Sequence, residues 1–340
     1  MATLETQQLD EVIASSRRRM LTLGGAALAG LAFTSMAKAQ STSTLTDADY
    51  LNFALNLEYL EANFYTLAAS GQTIDQVGLS LTGTGTPGTV TTKPGGPTAC
   101  KVPFAIPLVQ NYATEIAKEE RNHVSFLRSA LGSSAVAQPA IDLYNSFNGL
   151  ASLLGLGLTS FDPFASDINF LLGSYIFEDV GVTAYTGAAP ALTDTGHLDA
   201  AAGIQGVEAY HAGMIRTAII GLDQSATTLG PAGTANTVAT AISKLRASVD
   251  GSNSTSSTRT MGDDIGLVIQ QVQLNGTSNV SATTVTNATT TGSINAADPK
   301  SGTAGSMVFA RKAAQVLAIV YAGGSGKGGF FPAGLNGTVK

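Results

Sequence analysis

The pentapeptide Glu119-Glu120-Arg121-Asn122-His123 constrains this chain more than any other stretch. It sits inside the helix-like run Val109–Leu131. Residues three apart in a helix differ by about 60° around the axis and ~4.5 Å along it. Glu120 and His123 therefore point the same way and can grip one metal ion. The spacing returns as Glu208-Ala209-Tyr210-His211. The chain has only three His and nine Glu, and two of the His carry a Glu three positions earlier, so chance is a poor explanation. Two such helices, with two more that each supply a Glu, make the ligand set of a four-helix di-metal carboxylate site.

The supporting helices can be found by periodicity. Over Asp47–Ser70, Asn52, Asn56, Tyr59, Asn63, Thr66 and Ser70 form one polar stripe, and apolar residues fill most of the remaining circumference. This predicts a largely buried helix. Glu58, Glu61 and Tyr65 fall on its apolar side, where a carboxylate needs a metal, a cation or a proton. Glu61 can instead cap or pair at a helix junction. In Pro107–Leu131, Val109, Ala113, Ile116, Glu120, His123, Val124 and Leu127 form the buried stripe. Arg121 and Arg128 face outward, and Glu119 flanks the buried face within reach of a ligand. Asp167–Ala188 reads as a third helix and the Glu208/His211 segment as a fourth.

An internal repeat narrows the choice of ligands. Shifting the first helix by 120 positions pairs Leu51 with Leu171, Glu58 with Glu178, Tyr65 with Tyr185 and Thr66 with Thr186. Shifting the second by 88 pairs Ile116 with Ile204, Glu120 with Glu208, His123 with His211 and Arg128 with Arg216. A duplicated helical hairpin predicts a pseudo-twofold bundle and selects Glu58 over Glu61. The expected metal ligands are Glu58, Glu120, His123, Glu178, Glu208 and His211, with Glu120 and Glu208 as bridges. Tyr65 and Tyr185, seven residues after their Glu, are placed to hydrogen-bond ligands or donate an electron, and are the candidate catalytic side chains. His197 has no Glu three residues before it and reads as surface.

Asn56-Leu57-Glu58 with Tyr65, followed by Glu119-Glu120-Arg121-x-His123, resembles the ferroxidase-centre helices of ferritins. The second Glu-x-x-His is closer to bacterioferritins and rubrerythrins. The chain is most similar to the ferritin-like family of secreted and desiccation-related proteins, whose ends resemble Gly328-Gly329-Phe330-Phe331-Pro332-x-Gly334-Leu335-Asn336-Gly337. The resemblance covers residues 45–221 and the last thirty or so. It implies an all-α fold, a ferritin-like four-helix bundle, with a di-iron or di-manganese site (Fe or Mn, two ions). A storage cage is not expected, because cage-forming ferritins lack the Gly/Thr/Pro-rich insertion Val77–Lys101 and the long stretch after Leu222. An oligomer is compatible with the sequence. A rubrerythrin-type iron module needs several cysteines, and Cys100 stands alone.

The remainder sets location and accessories. Ser16-Arg17-Arg18-Arg19-Met20-Leu21, a short apolar run to Phe33 and Ala37-Lys38-Ala39 resemble a bacterial twin-arginine signal over residues 1–39. This implies the twin-arginine export machinery as a partner and a periplasmic or secreted protein. A formal charge of −6, with no basic block after the N-terminus, argues against nucleic acid. Val77–Lys101 reads as an extended loop or hairpin. Residues 222–340 form a loop-rich extension with one or two extra helices, at Thr234–Val249 and from Val308 to Tyr321. Phe330 and Phe331 are expected to pack back on the bundle, the alternative being an exposed docking patch. The expected activity is redox chemistry with dioxygen or peroxide, either ferroxidase- or peroxidase-like. The alternative is a structural or desiccation-protective protein whose metal only stiffens the bundle or has been lost.

Overall fold

The first long helix begins where Thr46 closes a reciprocal cap. Its hydroxyl accepts from the Asp49 amide at 3.3 Å, and the Asp49 carboxylate accepts from the Thr46 amide at 2.8 Å. It ends at Gly71, in the left-handed region at φ 72°. The computed structural model describes residues 45–223, 229, 232–250, 267–274, 278–284, 308 and 310–340. Seven α-helices lie among them: α1 (Asp47–Ser70), α2 (Pro107–Leu131), α3 (Asn145–Leu153), α4 (Asp167–Ala188), α5 (Thr195–Asp223), α6 (Ala235–Val249) and α7 (Ala313–Val320). The fold is all-α. Residues 1–39, read from the sequence as an export signal, Ser252–Arg259 and most of Asn275–Gly305 lie outside the described residues. No described helix is long and apolar enough to cross a membrane.

α1 packs along α2, and α4 along α5, as two hairpins. The hairpins meet more sparsely, through α1 with α4 and α2 with α5. That seam leaves room for polar groups at the centre. An aromatic cluster lies beside it. Phe64 meets Phe147, Phe164, Phe170 and Phe177 at centroid separations of 5.8, 5.4, 5.9 and 5.3 Å. Burial of each such ring contributes about 1.5–3 kcal/mol. The Asp167 carboxylate accepts from the amides of Ala105 and Ile106 at 2.9 and 3.1 Å, tying the start of α4 to the entry of α2.

The Asn stripe of α1 is buried, not solvated. Asn52 exchanges hydrogen bonds with the Ser134 carbonyl and the Val136 amide. Asn56 bonds the backbone of Asn336 in both directions, at 2.9 and 3.1 Å. Asn63 donates to the Gln138 side chain and accepts from the Ile74 amide. The stripe is therefore the seam on which the C-terminal tail and the 134–138 segment dock. Phe330 and Phe331 are both buried, Phe330 against Phe147 and Phe177 at 5.2 and 4.9 Å, so they offer no docking patch.

Three features differ from the sequence expectation. Val77–Lys101 is not a hairpin. Its strand β1 (Val90–Thr91) pairs in parallel with β2 (Ile141–Asp142), from the connection after α2. Gly88 permits this approach, since a Cβ there would come within 2.1 Å of the Ala140 nitrogen. Helix α3 was not expected, being rich in Asn, Ser and Gly. It forms because the Asp142 carboxylate accepts from the amides of Tyr144 and Asn145, and because Phe147 and Ala151 are buried. The last helix begins at Ala313, not near Val308. The segment just before it carries Arg311, fully buried, which donates to Asp250 at 2.8 Å and to Thr183 of α4 at 2.9 Å. A two-stranded antiparallel pair, β3 (Val268–Leu274) with β4 (Ser278–Thr284), completes the described elements.

Candidate metal centre

The six residues expected as ligands converge at the bundle centre. Glu58 comes from α1, Glu120 and His123 from α2, Glu178 from α4, and Glu208 and His211 from α5, all buried. Nδ1 of His123 lies 3.2 Å from Glu58, 3.4 Å from Glu120 and 3.7 Å from Glu208. Nδ1 of His211 lies 3.1 Å from Glu120 and 3.3 Å from Glu178. The ligand atoms fall into two groups, Glu58–Glu120–His123–Glu208 and Glu120–Glu178–His211, each within 4.8 Å. Glu120 belongs to both groups. Glu208 joins only the first group. Its carboxylate rests against Gly181, where a Cβ would come within 2.1 Å of Oε2.

His123 Nδ1 and Glu58 form a hydrogen bond at 3.2 Å, but most of the other close approaches are not hydrogen bonds. Both oxygens of Glu120, both of Glu208, Oε2 of Glu178 and Nδ1 of His211 are buried without a hydrogen-bond partner. Each such atom left unsatisfied costs about 1–3 kcal/mol, more for a charged group. Four carboxylates and two imidazoles form an oxygen- and nitrogen-rich donor set that fits iron or manganese.

Without an ion, protons must do the balancing. Burial pushes the Glu58 carboxyl up to about 7. Burial likewise raises Glu178, and raises Glu208 well above the carboxylate range. Burial opposes charge on the imidazoles, but the carboxylates overcome it. Glu58 and Glu120 push His123 up to about 11, and Glu178 and Glu120 push His211 up to about 12. Burial also works against ionised Glu120, yet the two histidines hold its carboxyl well below the usual range. Burial and mutual charge thus favour protons on Glu58, Glu178, Glu208 and both imidazoles, and a bound cation would compete with them.

The tyrosines act across the bundle. Tyr65 of α1 donates to Glu178 of α4, and Tyr185 of α4 donates to Glu58 of α1. Each thus fixes the carboxylate of the opposite hairpin. Glu119 takes the outer role, its carboxylate accepting from Nε2 of His211 at 2.7 Å. His197 is half-buried at the protein surface and pairs with Asp47 at 3.0 Å, away from the cluster.

Glu61 overturns the expectation of a cap or ion pair. It is buried, yet among the described residues it has no hydrogen bond or ion pair. Burial, with Glu120, Glu178 and Glu58 nearby, raises its carboxyl well above the usual range. It lines an apolar crevice of about 40 Å3 between α1 and α4. The half-buried Tyr50, Ala54, Leu57 and Ala184 lie toward the surface of that crevice, and Glu58, Glu61 and Tyr185 lie within.

Sequence reasoning also missed a buried charge network beside the site. Asp179, next to Glu178, accepts from Arg216 at 2.9 and 2.8 Å and from Arg246 of α6 at 2.7 Å. Both guanidiniums lie over the Tyr175 ring, 5.0 and 4.8 Å from its centre. The repeat held the signal. Arg128, the mate of Arg216, is not outward-facing but donates to Tyr59, the mate of Asp179. Arg121 likewise turns back, to Thr66 at 3.0 Å.

A helical bundle enclosing four carboxylates and two histidines defines the ferritin-like class. The comparisons agree: the chain belongs to the ferritin-like domain family, whose model matches residues 46–221. It is 34% identical over 178 residues to the desiccation-related protein PCC13-62 of Craterostigma plantagineum. It is 30% identical over 173 residues to the ferritin-like catalase Nec2 of Nesocodon mauritianus. Each match covers 50% of this chain and 52% of the relative, so the chain spans about half the length of the curated relatives it matches. No solved structure matches significantly.

Proposed function

We propose that Glu58, Glu120, His123, Glu178, Glu208 and His211 hold two iron or manganese ions, and that the exported protein uses them for redox chemistry with peroxide or dioxygen. The observation that carries this reading is that Glu120, Glu178, Glu208 and His211 hold six buried atoms without hydrogen-bond partners, in two clusters of ligand residues that share Glu120. Bound there, such ions supply redox electrons and open coordination positions.

The chain's own residues supply the rest. Tyr65 and Tyr185 hold Glu178 and Glu58 in orientation. Glu119 fixes the ring of His211. The crevice walls favour a small uncharged molecule, and Glu61 holds a proton at its inner end. Peroxide is the first substrate to test, because one relative is named a catalase. The name of the other favours a second reading, a protective protein in which the ions only stiffen the bundle.

An oxygen electrode separates these readings. The protein loaded with Mn(II) or Fe(II) is expected to release dioxygen from hydrogen peroxide, or to consume dioxygen with ferrous ion. Both activities should vanish in Glu120→Gln. Full metal occupancy with neither activity would contradict the redox reading and leave the protective one.

A further inference from the structure

The two hairpins repeat each other, but the repeat fails at two positions that touch the centre. Glu119 backs His211, its carboxylate 2.7 Å from Nε2, with the Glu119 side chain 34% exposed. The mate of Glu119 at the same offset is Val207, which has no side-chain acceptor. The polar contacts of His123 run through Nδ1, and among the described residues no group accepts from its Nε2. The second failure is Glu61, whose mate is Gly181. Glu61 and Glu58 line the crevice together, and Glu208 occupies the space that Gly181 leaves. Of the six clustered ligand residues, Glu58 alone lines the crevice, so the crevice reaches the cluster on its Glu58 side.

A carboxylate on the far nitrogen of a ligating imidazole fixes its tautomer and orientation and makes it a stronger donor. Only one of the two imidazoles here has that support. We propose, building on the di-metal reading, that the two positions are unequal and fill in order. The Glu120–Glu178–His211 position takes the first ion and retains it. The Glu58–His123–Glu208 position is the exchangeable one, facing the crevice by which a small ligand arrives. Glu119 is then the positioning residue that sets the order, and Glu61 marks the labile side.

The test is stepwise titration of the full, metal-free protein with Mn(II), by calorimetry and by the six-line resonance of free Mn(II). Two steps of unequal affinity are expected. Glu119→Gln should weaken the tighter step about 10–100-fold and leave the weaker one in place. Glu115→Gln removes an exposed carboxylate one turn earlier and should change neither. Thermal melts of the metal-free variants check the fold, and a merely structural role for Glu119 would lower those melts without separating the steps. Two equal steps in the parent protein, or a Glu119→Gln variant that weakens both steps alike or neither, would overturn the inference. Absence of any Mn(II) or Fe(II) binding would remove the di-metal reading itself, and this inference with it.

Discussion

Removing metal should make the stability of this protein fall as pH rises, and restoring metal should cancel that dependence. In the metal-free fold, burial holds the Glu58 carboxyl at about 7, against an ordinary value of 4.5. A raised folded value means that the native state binds more protons than the unfolded chain between those limits. The associated stability is fully present below pH 4.5 and is lost as pH rises through 7. At 1.36 kcal/mol per unit, Glu58 alone accounts for about 3 kcal/mol. Glu61, Glu178 and Glu208 are raised in the same direction and add to it. The histidines follow the same sign at higher pH. Their contribution is complete below 6.5 and fades as pH passes about 11 and about 12. A loss of 3 kcal/mol corresponds to roughly 6–12 °C in Tm for a domain of this size. Melts followed by circular dichroism at pH 5 and pH 8 should show that drop in chelator-treated protein. Mn(II) competes with the same protons, so the loaded protein should hold its Tm or gain, and the gap should widen. Parallel pH dependence with and without Mn(II) would refute the argument that the cluster stores protons in place of metal.

Three further outcomes follow from particular residues. His123→Ala should lower metal stoichiometry and any peroxide or ferrous-oxidation activity, with a stability loss on the order of a few kcal/mol, whereas His197→Ala should match the parent in metal analysis, activity and melting. Gly181→Ala sets a methyl group against Glu208 and should cost about 1–3 kcal/mol in denaturant titrations while displacing that carboxylate, measured as reduced metal content. Replacing Arg17-Arg18 with Lys-Lys should leave precursor in the cytoplasm on fractionation, with Arg18-Arg19 as the register control; normal export of both variants would point to a general secretory signal.

Helical periodicity made the centre legible, because its ligands are set by local geometry. Spacing alone put Glu120 with His123 and Glu208 with His211, and the repeat chose Glu58 and Glu178. What the sequence could not supply was the relation between helices. The crossed bonds Tyr65–Glu178 and Tyr185–Glu58 require knowing that α1 faces α4. Glu61 was assigned a partner because a buried carboxylate normally has one. Its neighbours are instead an apolar crevice and the carboxylates of Glu58, Glu120 and Glu178. The strand in Val77–Lys101 escaped because its partner at Ile141–Asp142 is distant in sequence and parallel. Arg246 and Arg311 reach the bundle from the extension, and no local pattern marks those contacts with Asp179 and Thr183.

The central claim is that two metal ions sit among these six side chains. The most direct measurement is a crystal of the Mn(II)- or Fe(II)-loaded protein with anomalous difference maps on both sides of that metal's absorption edge. The account predicts two peaks, ~3.5–4 Å apart, flanking the Glu120 carboxylate, one beside His123 and the other beside His211. Maps with no peak at the bundle centre, in crystals whose metal content has been verified, would contradict it.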